Sequence, residues 1–167
     1  VGPGPANAFA WPDILEQRNE VGYHSIAVPG MVAGLAKALE RFGTLIERAL
    51  AGGIDSWGAP PLAALPALAR VIVLDQFTRN AFRNSARAFA GDEVALQTAR
   101  AIVASGLDRQ LSGVQRQFVY LPFEHAEDLA HQRTSVQLFE QLGRDEPPLA
   151  GLLEWARRHH DIVARFG

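Results

Sequence analysis

Residues 62–83 read LAALPALARVIVLDQFTRNAFR and join the most apolar segment of the chain to a polar one. Pro66 suits the first turn of a helix, where its missing N–H costs no hydrogen bond. From residue 67 to residue 74 only Arg70 is charged, and a helix that is apolar on every side is usually buried by several neighbours. A buried β-strand would also suit residues 71–74, but no second strand candidate of comparable strength follows. The stretch therefore predicts a buried helix.

The end of this predicted helix carries five polar side chains, which are Asp75, Gln76, Arg79, Asn80 and Arg83. Asp75 and Arg79 are four residues apart, as are Arg79 and Arg83, so the members of each pair are neighbours on one helix face. Arg87 follows at the same spacing. Because a guanidinium group can donate two parallel hydrogen bonds, these arginines are candidates for holding a carboxylate or a phosphate.

A second polar cluster, LPFEHAEDLAHQ at residues 121–132, supplies the opposite charge. On a helix of roughly 3.6 residues per turn, one stripe of this region consists of Leu121, His125, Leu129, Gln132, Val136 and Phe139. His125 and Gln132 are thus polar groups at core positions. The carboxylates of Glu124, Glu127 and Asp128 lie on an adjacent face. If this helix packs against the first one, the arginines can reach those carboxylates.

Helical periodicity also marks the segments between and around these two stretches. One helix begins near Met31 and ends at Gly52-Gly53, in the manner of a C-terminal glycine cap. Asp92 is suited to cap the start of another helix, and Gly106 follows its end.

The second half of the chain predicts two further helical segments. The spacing of Ser112 and Gln115 is that of a capping box, and the helix it opens carries Val114, Phe118 and Leu121 inward. Pro122 either kinks this helix or starts a new one, because proline cannot donate to the preceding turn. The segment is expected to stop at Gly143, and Pro147-Pro148 to start the last helix.

We therefore expect an all-α protein of about six helices, in which neighbouring helices form antiparallel pairs joined by short links. Residues 1–30 are rich in Pro, Gly and Asn and are expected to be irregular, whereas residues 31–167 are expected to form a single helical domain. A chain of 167 residues is long enough for one such domain and too short for two comfortable ones.

Composition narrows the range of partners. The formal net charge is −2, so no basic excess favours nonspecific binding to nucleic acid. No apolar stretch reaches the roughly 18 to 20 residues of a membrane span. The absence of cysteine excludes disulfides, thiol nucleophiles and thiolate metal sites, and it fits a cytoplasmic protein. We expect neither nucleic acid nor a membrane as a partner, and the sequence leaves the oligomeric state open.

Three interpretations of the polar residues remain open. In the first, they form a structural network that only determines how the helices pack. In the second, which we adopt as the predicted function, the protein is a binding or scaffold domain that holds a small acidic molecule or a protein segment near the arginines. In the third, it is a cytoplasmic enzyme in which His125 is the acid or base, oriented by Asp128 or Glu124, with Glu127 nearby. An enzyme needs His125 and a carboxylate in a solvent-connected cavity, whereas a structural network is sealed.

We expect no cofactor and no metal. Asp128 and His131 stand at i and i+3, as in some di-iron helix bundles, but those sites need two such motifs and two further carboxylates. His159 and His160 point about 100° apart on a helix, and at least one of them is expected to be a hydrogen-bonded core histidine. The sequence has no Gly-rich phosphate loop, no His-Glu-x-x-His and no Gly-x-Ser-x-Gly motif.

The two polar stretches resemble a bacterial family of uncharacterised proteins, the domain of unknown function 924 family. The first resemblance comprises LDQFTRN at 74–80, FR at 82–83, RAFA at 87–90 and Asp92. The second comprises LPFEHAEDL at 121–129, Gln132, Ser135-Val136 and LFE at 138–140. Weaker agreement is carried by ERFG at 40–43, IDSW at 54–57 and HDIVARFG at 160–167, so the resemblance runs from about residue 40 to residue 167.

This resemblance implies an all-helical fold related to tetratricopeptide-like repeats, and it implies no established activity. Strict repeats with a period of about 34 residues are not visible, so any such character is divergent. Thr78 stands where the family usually has proline, and Ala126 where it usually has serine. The family usually continues past the Arg-Phe-Gly with a basic Arg-Phe-Pro-His-Arg-Asn-like segment, which would leave this chain with an incomplete site if that segment belongs to it.

Overall fold

The computed structural model describes residues 41–167, of which residues 42–167 form one compact unit. The predicted irregular segment 1–30 and the start of the predicted helix near Met31 lie outside the described residues. The α-helices are α1 (41–50), α2 (Ala64–Val71), α3 (Thr78–Ala81), α4 (Asp92–Ala104), α5 (Gly113–His125), α6 (Leu129–Asp145) and α7 (Leu152–Phe166). Residues 41–167 contain no strand, which confirms the all-α prediction. The tetratricopeptide-like arrangement stays a prediction.

Helix α5 occupies the centre of this unit and packs against α2, α4, α6 and α7. Its side chains Val119, Tyr120 and Phe123 are buried in the main core. Facing elements contribute Val71, Ala99 and Phe139, among others. A smaller apolar cluster lies where α1 meets the end of the α2 segment, around Ala49, Ile54 and Leu74. The central position of α5 brings its C-terminal end close to residues from several other helices.

The apolar stretch is a helix rather than a strand, and Pro66 lies in its first turn as predicted. Between α2 and α3 the chain forms a π-helical segment, Ile72–Phe77, which the sequence analysis did not anticipate. The hydroxyl of Thr78 donates to the carbonyl oxygens of Val73, at 3.1 Å, and Leu74. π-Helical segments are rare in proteins, and those that occur are often found at functional sites. Here the π segment carries Asp75, whose side chain is fully buried.

The start of α4 differs from the prediction that Asp92 caps it. Gly91 is the N-cap residue and Asp92 is the first residue of the helix, with no side-chain cap hydrogen bond. A Cβ on residue 91 would collide with the carbonyl oxygen of Leu74, so only glycine fits this close approach. The carboxylate of Asp92 accepts a hydrogen bond from Arg79 instead. At the other end of α4, Gly106 has a positive φ of 70°, in agreement with the prediction.

Helix α5 begins with the predicted capping box, in which Ser112 and Gln115 bond to each other's backbone N–H groups. The predicted inward position of Val114 is wrong, since this residue is 49% exposed. Pro122 lies inside α5, and the chain leaves the helix only at residues 126–128. The single stripe predicted from Leu121 to Phe139 is therefore divided between two helices, and Leu129 is exposed.

Two predicted boundaries near the C-terminus shift. Helix α6 continues past Gly143 to Asp145, and a Cβ on Gly143 would lie 2.9 Å from the Cα of Ala150. Glycine serves close packing there and does not end the helix. Pro147–Leu149 forms a 3-10 turn, and α7 begins only at Leu152. None of the helices in the described part of the chain is long and apolar enough to cross a membrane.

Candidate functional site

A cleft of about 930 Å³, open to solvent, lies at the C-terminal end of α5. Residues from the π segment, α3, α4, α5, α6 and α7 line it. Its polar lining consists of Asp75, Arg79, Asp92, Glu93, Glu124, His125, Glu127, Asp128, His131, Gln132 and His159. Its other lining residues are Phe89, Leu96, Pro122, Ala126, Ile162 and Val163. The volume is within the usual range for small-molecule sites, roughly 300–1,000 Å³.

The central contact of this cleft joins two residues that are 50 positions apart in the sequence. His125 Nδ1 lies 2.7 Å from Asp75 Oδ1. Because an ionised carboxylate only accepts hydrogen bonds, Nδ1 is the nitrogen that carries the hydrogen. The second ring nitrogen, Nε2, then has its lone pair available. The imidazole belongs to a side chain that is 17% exposed and lines the cleft.

Asp75 is held ionised despite its burial. Burial by itself raises the pKa of this carboxyl, but the hydrogen bond and charge of His125, together with Gln76 and Arg79, outweigh burial and lower it. Gln76 Nε2 donates to Asp75 Oδ2 at 2.6 Å, and Arg79 Nε donates to Oδ1 at 3.3 Å. A buried carboxylate with three donors is a fixed negative charge that orients the imidazole.

Arg79 connects Asp75 to the start of α4. Its Nη2 donates to Asp92 Oδ2 at 2.5 Å, and its guanidinium carbon lies 5.1 Å from the ring centroid of Phe89. Burial raises the pKa of Asp92, with Asp75 adding to the increase and Arg79 opposing it. Arg79, the one guanidinium that residues 41–167 contribute to the cleft lining, is therefore already engaged with two carboxylates.

Glu124 lies beside this arrangement in a different state. Its side chain is only 7% exposed, and its Oε1 is 3.5 Å from His159 Nε2. Burial raises the pKa of Glu124, although the charges of His159 and His125 oppose the increase; the charge of Asp75 adds to it. On either side of His125 the cleft thus has a carboxyl with a lowered pKa, Asp75, and a carboxyl with a raised pKa, Glu124. Pairs of titratable groups that are shifted in opposite directions are typical of acid–base sites.

The turn between α5 and α6 is held by side chains of the second predicted cluster. Gln132 Nε2 donates to the carbonyl oxygens of Glu124, at 2.7 Å, and Ala126, at 2.6 Å. Asp128 is the N-cap of α6 and accepts from the backbone N–H groups of Ala130 and His131. The bond from His131, and then that from Ala130, lowers the pKa of Asp128. These contacts fix where α5 ends and hence where His125 points.

The nine residues predicted to form the site are not all brought to the cleft. Six of them line it, namely Asp75, Arg79, Glu124, His125, Glu127 and Asp128. Gln76, Asn80 and Arg83 are not among its lining residues. Asn80 Nδ2 donates to the carbonyl oxygen of Gln76 at 2.8 Å, and the exposed Arg83 donates to Asn80 at 3.2 Å.

Three more specific expectations are wrong. The partner that orients His125 is Asp75, not Asp128 or Glu124, because the Asp128 carboxylate is used in capping α6. Arg87 does not face the cleft; it pairs with Glu47 on α1 and lies over the ring of Phe82. Neither neighbouring histidine of α7 is a buried core residue. The side chain of His159 is 43% exposed and faces Glu124, and His160 lies 3.1 Å from Asp161.

Several lining residues were not predicted from the sequence, notably Phe89, Glu93, His159 and Ile162. Their spacing along the chain shows no link to residues 75 or 125, since the 3-10 turn Ala86–Phe89 and helices α4 and α7 bring them to the cleft. Asp92 was noticed only as a possible cap. Its place after RAFA in the family resemblance was the one signal that associated it with the first polar stretch. The described residues contain no group of three or more histidine, aspartate or glutamate side chains arranged to hold a metal ion.

Comparisons with known proteins agree with the resemblance noted in the sequence. Residues 35–167 match the profile of the family described as "Bacterial protein of unknown function (DUF924)". A solved structure of a protein of unknown function from Agrobacterium tumefaciens is similar, with 38% sequence identity and a TM-score of 0.70. That likeness covers 81% of this chain and 72% of the other one. Among curated proteins no significant match is found.

Proposed function

The chain belongs to the bacterial family of unknown function DUF924, and we propose that it is an enzyme that performs acid–base chemistry on a small molecule in its cleft. One observation carries the proposal. His125 is oriented through Nδ1 by the buried Asp75, while the same imidazole lines a cleft that is open to solvent. An imidazole held in this way can accept a proton at Nε2 from a bound molecule.

The roles of the residues follow from their contacts and, for the two carboxyl groups, from their pKa shifts. His125 is the proton acceptor, because Asp75 binds its Nδ1 while the same imidazole lines the cleft. Asp75 keeps its negative charge and stabilises the imidazolium that forms when His125 takes up a proton. Glu124, whose pKa is raised by burial, is the second titrating group and exchanges a proton with the ligand. Together these groups provide a base and an acid on the same wall of the cleft.

A purely structural role is less compatible with this geometry. Networks that only position helices are sealed from solvent and mutually hydrogen-bonded. The Asp75 end of this network satisfies that description, since its oxygens accept from Gln76, Arg79 and His125. The other end does not, because Glu124 and His125 border an open cleft. A side chain that buried hydrogen bonds hold in place, and that a ligand can still reach from the cleft, has the usual arrangement of a catalytic residue.

A binding domain for a small acidic molecule or a protein segment, the function predicted from the sequence, is the second candidate. Arg79 is the group that would hold such a ligand, because it is the guanidinium in the cleft lining. Its engagement with Asp75 and Asp92 weighs against this candidate, as does the position of Arg83 and Arg87 away from the cleft. The cytoplasmic location stays a prediction that rests on the absence of cysteine.

Incubation with a bacterial metabolite extract, followed by mass spectrometry, tests the enzymatic role. The wild-type protein is compared with His125→Gln and with His160→Gln, which changes a histidine that does not line the cleft. We expect one or more metabolites to be depleted by the wild-type protein and by His160→Gln, and at least about 100-fold more slowly by His125→Gln, since general acid–base catalysis contributes about that much.

Thermal unfolding of all three proteins shows whether the variants are folded. Depletion by His125→Gln at the wild-type rate would contradict the acid–base role. A wild-type protein that depletes nothing but retains a metabolite through dialysis would favour the binding domain.

A further inference from the structure

The charge of the cleft lining is strongly unbalanced. The lining residues contribute six carboxyl groups, on Asp75, Asp92, Glu93, Glu124, Glu127 and Asp128. Among the described residues, one guanidinium lines the cleft against these carboxyl groups, that of Arg79, which is already paired with two of them. Three histidines, His125, His131 and His159, complete the ionisable set. A concave surface with this balance concentrates cations and repels anions.

Two buried polar groups in the lining are short of hydrogen-bond donors within the described part of the chain. The carboxyl of Glu124 is more than nine-tenths buried, and its nearest basic neighbour is His159 Nε2 at 3.5 Å. Gln132 uses its amide N–H group on the carbonyls of Glu124 and Ala126, whereas its Oε1 is buried without a partner. Both groups can accept a further hydrogen bond. An ammonium or guanidinium group on a ligand can donate that bond, whereas a carboxylate or phosphate cannot.

The remaining lining includes apolar surface near the carboxylates. Phe89 and Ile162 are 58% and 57% exposed, and both line the cleft. Large apolar side chains in such a position gain from being covered by an apolar part of a ligand. Glu93, Glu127 and Asp128 are exposed along the same cleft. The lining therefore offers carboxylates to the charged group of a ligand, and two apolar side chains to the apolar part of the same ligand.

We propose that the cleft takes a small organic cation of the ammonium, amidinium or guanidinium class, with its charged group at Glu124 and its apolar part against Phe89 and Ile162. This proposal rests on the proposed function, because it names the substrate class for the proton transfer at His125. A planar amidinium or guanidinium suits a carboxyl group best, since it donates two parallel hydrogen bonds to it.

Binding of a cation has a consequence for the proton on Glu124. The groups that face this carboxyl are His159, His125 and Asp75. Burial raises its pKa, so a larger share of the carboxyl is protonated than in water. A positive charge placed beside it lowers the pKa again. At a pH where Glu124 is still partly protonated, binding of the cation is therefore accompanied by release of a proton from it.

Three probes that share one ring and differ in charge test the substrate class, namely benzamidinium, neutral benzamide and benzoate. Binding is followed by NMR chemical shifts of the wild-type protein and by calorimetry. We expect benzamidinium to bind about tenfold or more tightly than benzoate, with an affinity that falls as salt is added. Calorimetry in two buffers of different ionisation enthalpy is expected to show proton release. Equal binding of the three probes, tighter binding of benzoate or no binding of benzamidinium would overturn the proposal.

Variants localise the effect and separate it from catalysis. Glu124→Gln is expected to weaken benzamidinium binding about tenfold and to abolish proton release, because the neutral amide cannot titrate. Glu154→Gln, which alters an exposed glutamate of α7 outside the cleft, is expected to match the wild type. His125→Gln is expected to retain benzamidinium binding while losing the depletion of metabolites that the wild-type protein shows. If His125→Gln keeps turnover but benzamidinium still binds at Glu124, the acid–base role fails and the cation site stands. If benzoate binds more tightly than benzamidinium while His125→Gln abolishes metabolite depletion, the cation site fails and the acid–base role stands.

Discussion

Helix α5 carries a polar network near each end, and the two networks are built from similar groups. In the first half of the helix, Arg116 and Tyr120 interact with Asp108 and Asp145. Tyr120 donates to Asp108 at 2.6 Å, Arg116 Nε donates to the tyrosine hydroxyl at 3.1 Å, and Arg116 Nη1 lies 2.8 Å from Asp145. At the other end, His125 bonds to Asp75, which Arg79 also contacts.

The two networks differ in their access to solvent. In the first network Tyr120 is fully buried and Asp108 and Arg116 are nearly so, and only Asp145, at its outer edge, is exposed. Burial and the neighbouring Asp108 raise the pKa of Tyr120 to about 12, so its proton stays in place at any physiological pH. His125 and Glu124, in contrast, border a cleft of about 930 Å³. The comparison shows that the same kinds of ion pair stabilise a fold where they are sealed and form a candidate site where one side is open.

The largest effect on stability is expected in the sealed network. Arg116→Met removes the Nε–H donor of the buried Tyr120 hydroxyl and one of the two guanidinium partners of Asp145, and the loss of these two contacts is expected to cost about 3 kcal/mol. Chemical denaturation measures the free energy of unfolding. The control is Arg158→Met, which removes an exposed pair with Glu154 worth about 0.5 kcal/mol or less. Similar losses in the two variants would show that the sealed network does not stabilise the fold.

A smaller loss in the free energy of unfolding is expected at Asp75, the buried member of the network that borders the cleft. Asp75→Asn removes the charge that His125 and Arg79 bond to, and a hydrogen bond to a charged group contributes about 1.5–3 kcal/mol. Because the pKa of Asp75 is lowered by folding, the stability it contributes is present above the unfolded-state pKa, about 3.9, and is lost as pH falls through the lower folded-state value.

The pH dependence separates this effect from a simple packing defect. Between pH 7 and pH 2, the wild-type protein is expected to lose more stability than Asp75→Asn, as followed by urea denaturation. Asp161→Asn, at an exposed carboxylate of α7, serves as the matched control and is expected to keep the wild-type profile. Parallel profiles for the wild type and Asp75→Asn would mean that the Asp75 carboxylate is not held ionised by its partners.

The smallest change, and one of opposite sign, is expected at Glu124. Its pKa is raised by folding, so folding favours the protonated form and the ionised form carries a penalty above the unfolded-state pKa, about 4.3. Glu124→Gln removes that penalty and is expected to raise the thermal midpoint at pH 8 relative to the wild type, with the difference shrinking towards pH 4. Glu154→Gln is the control at an exposed position. A variant that is less stable than the wild type at pH 8 would contradict the assignment of a buried, raised-pKa carboxyl.

Local signals in the sequence predicted much of the helical framework. The glycines at 52 and 106 end helices with positive φ values of 82° and 70°, and Ser112 forms its capping box. These features depend on the conformation of a few neighbouring residues, so the sequence is sufficient to predict them. The errors arose where a distant contact decides. Gly91 replaces Asp92 as the cap because Leu74 approaches it, and Gly143 lies inside α6 because Ala150 packs on it.

The sequence predicted several residues of the candidate site, but it did not predict which of them bond to each other. The sequence identified Asp75, Arg79, Glu124 and His125 as chemically important, partly through a family resemblance. It assigned the wrong partner to His125, because the correct one lies 50 residues away on another helix. It also did not predict the network of Arg116 and Tyr120, whose members look like ordinary polar positions on a helix.

By itself, the sequence determined that this protein is helical, where several of its helices begin or end, and which two stretches carry its candidate site, because periodicity, caps and residue types are local properties. The tertiary structure alone decided how those groups combine. The π segment carries Asp75 into the interior, and the turn held by Gln132 ends α5 at His125. The packing of α4 and α7 then adds further carboxylates and an apolar wall. Burial and distance set the pKa of each carboxyl, and neither quantity exists until the helices have packed.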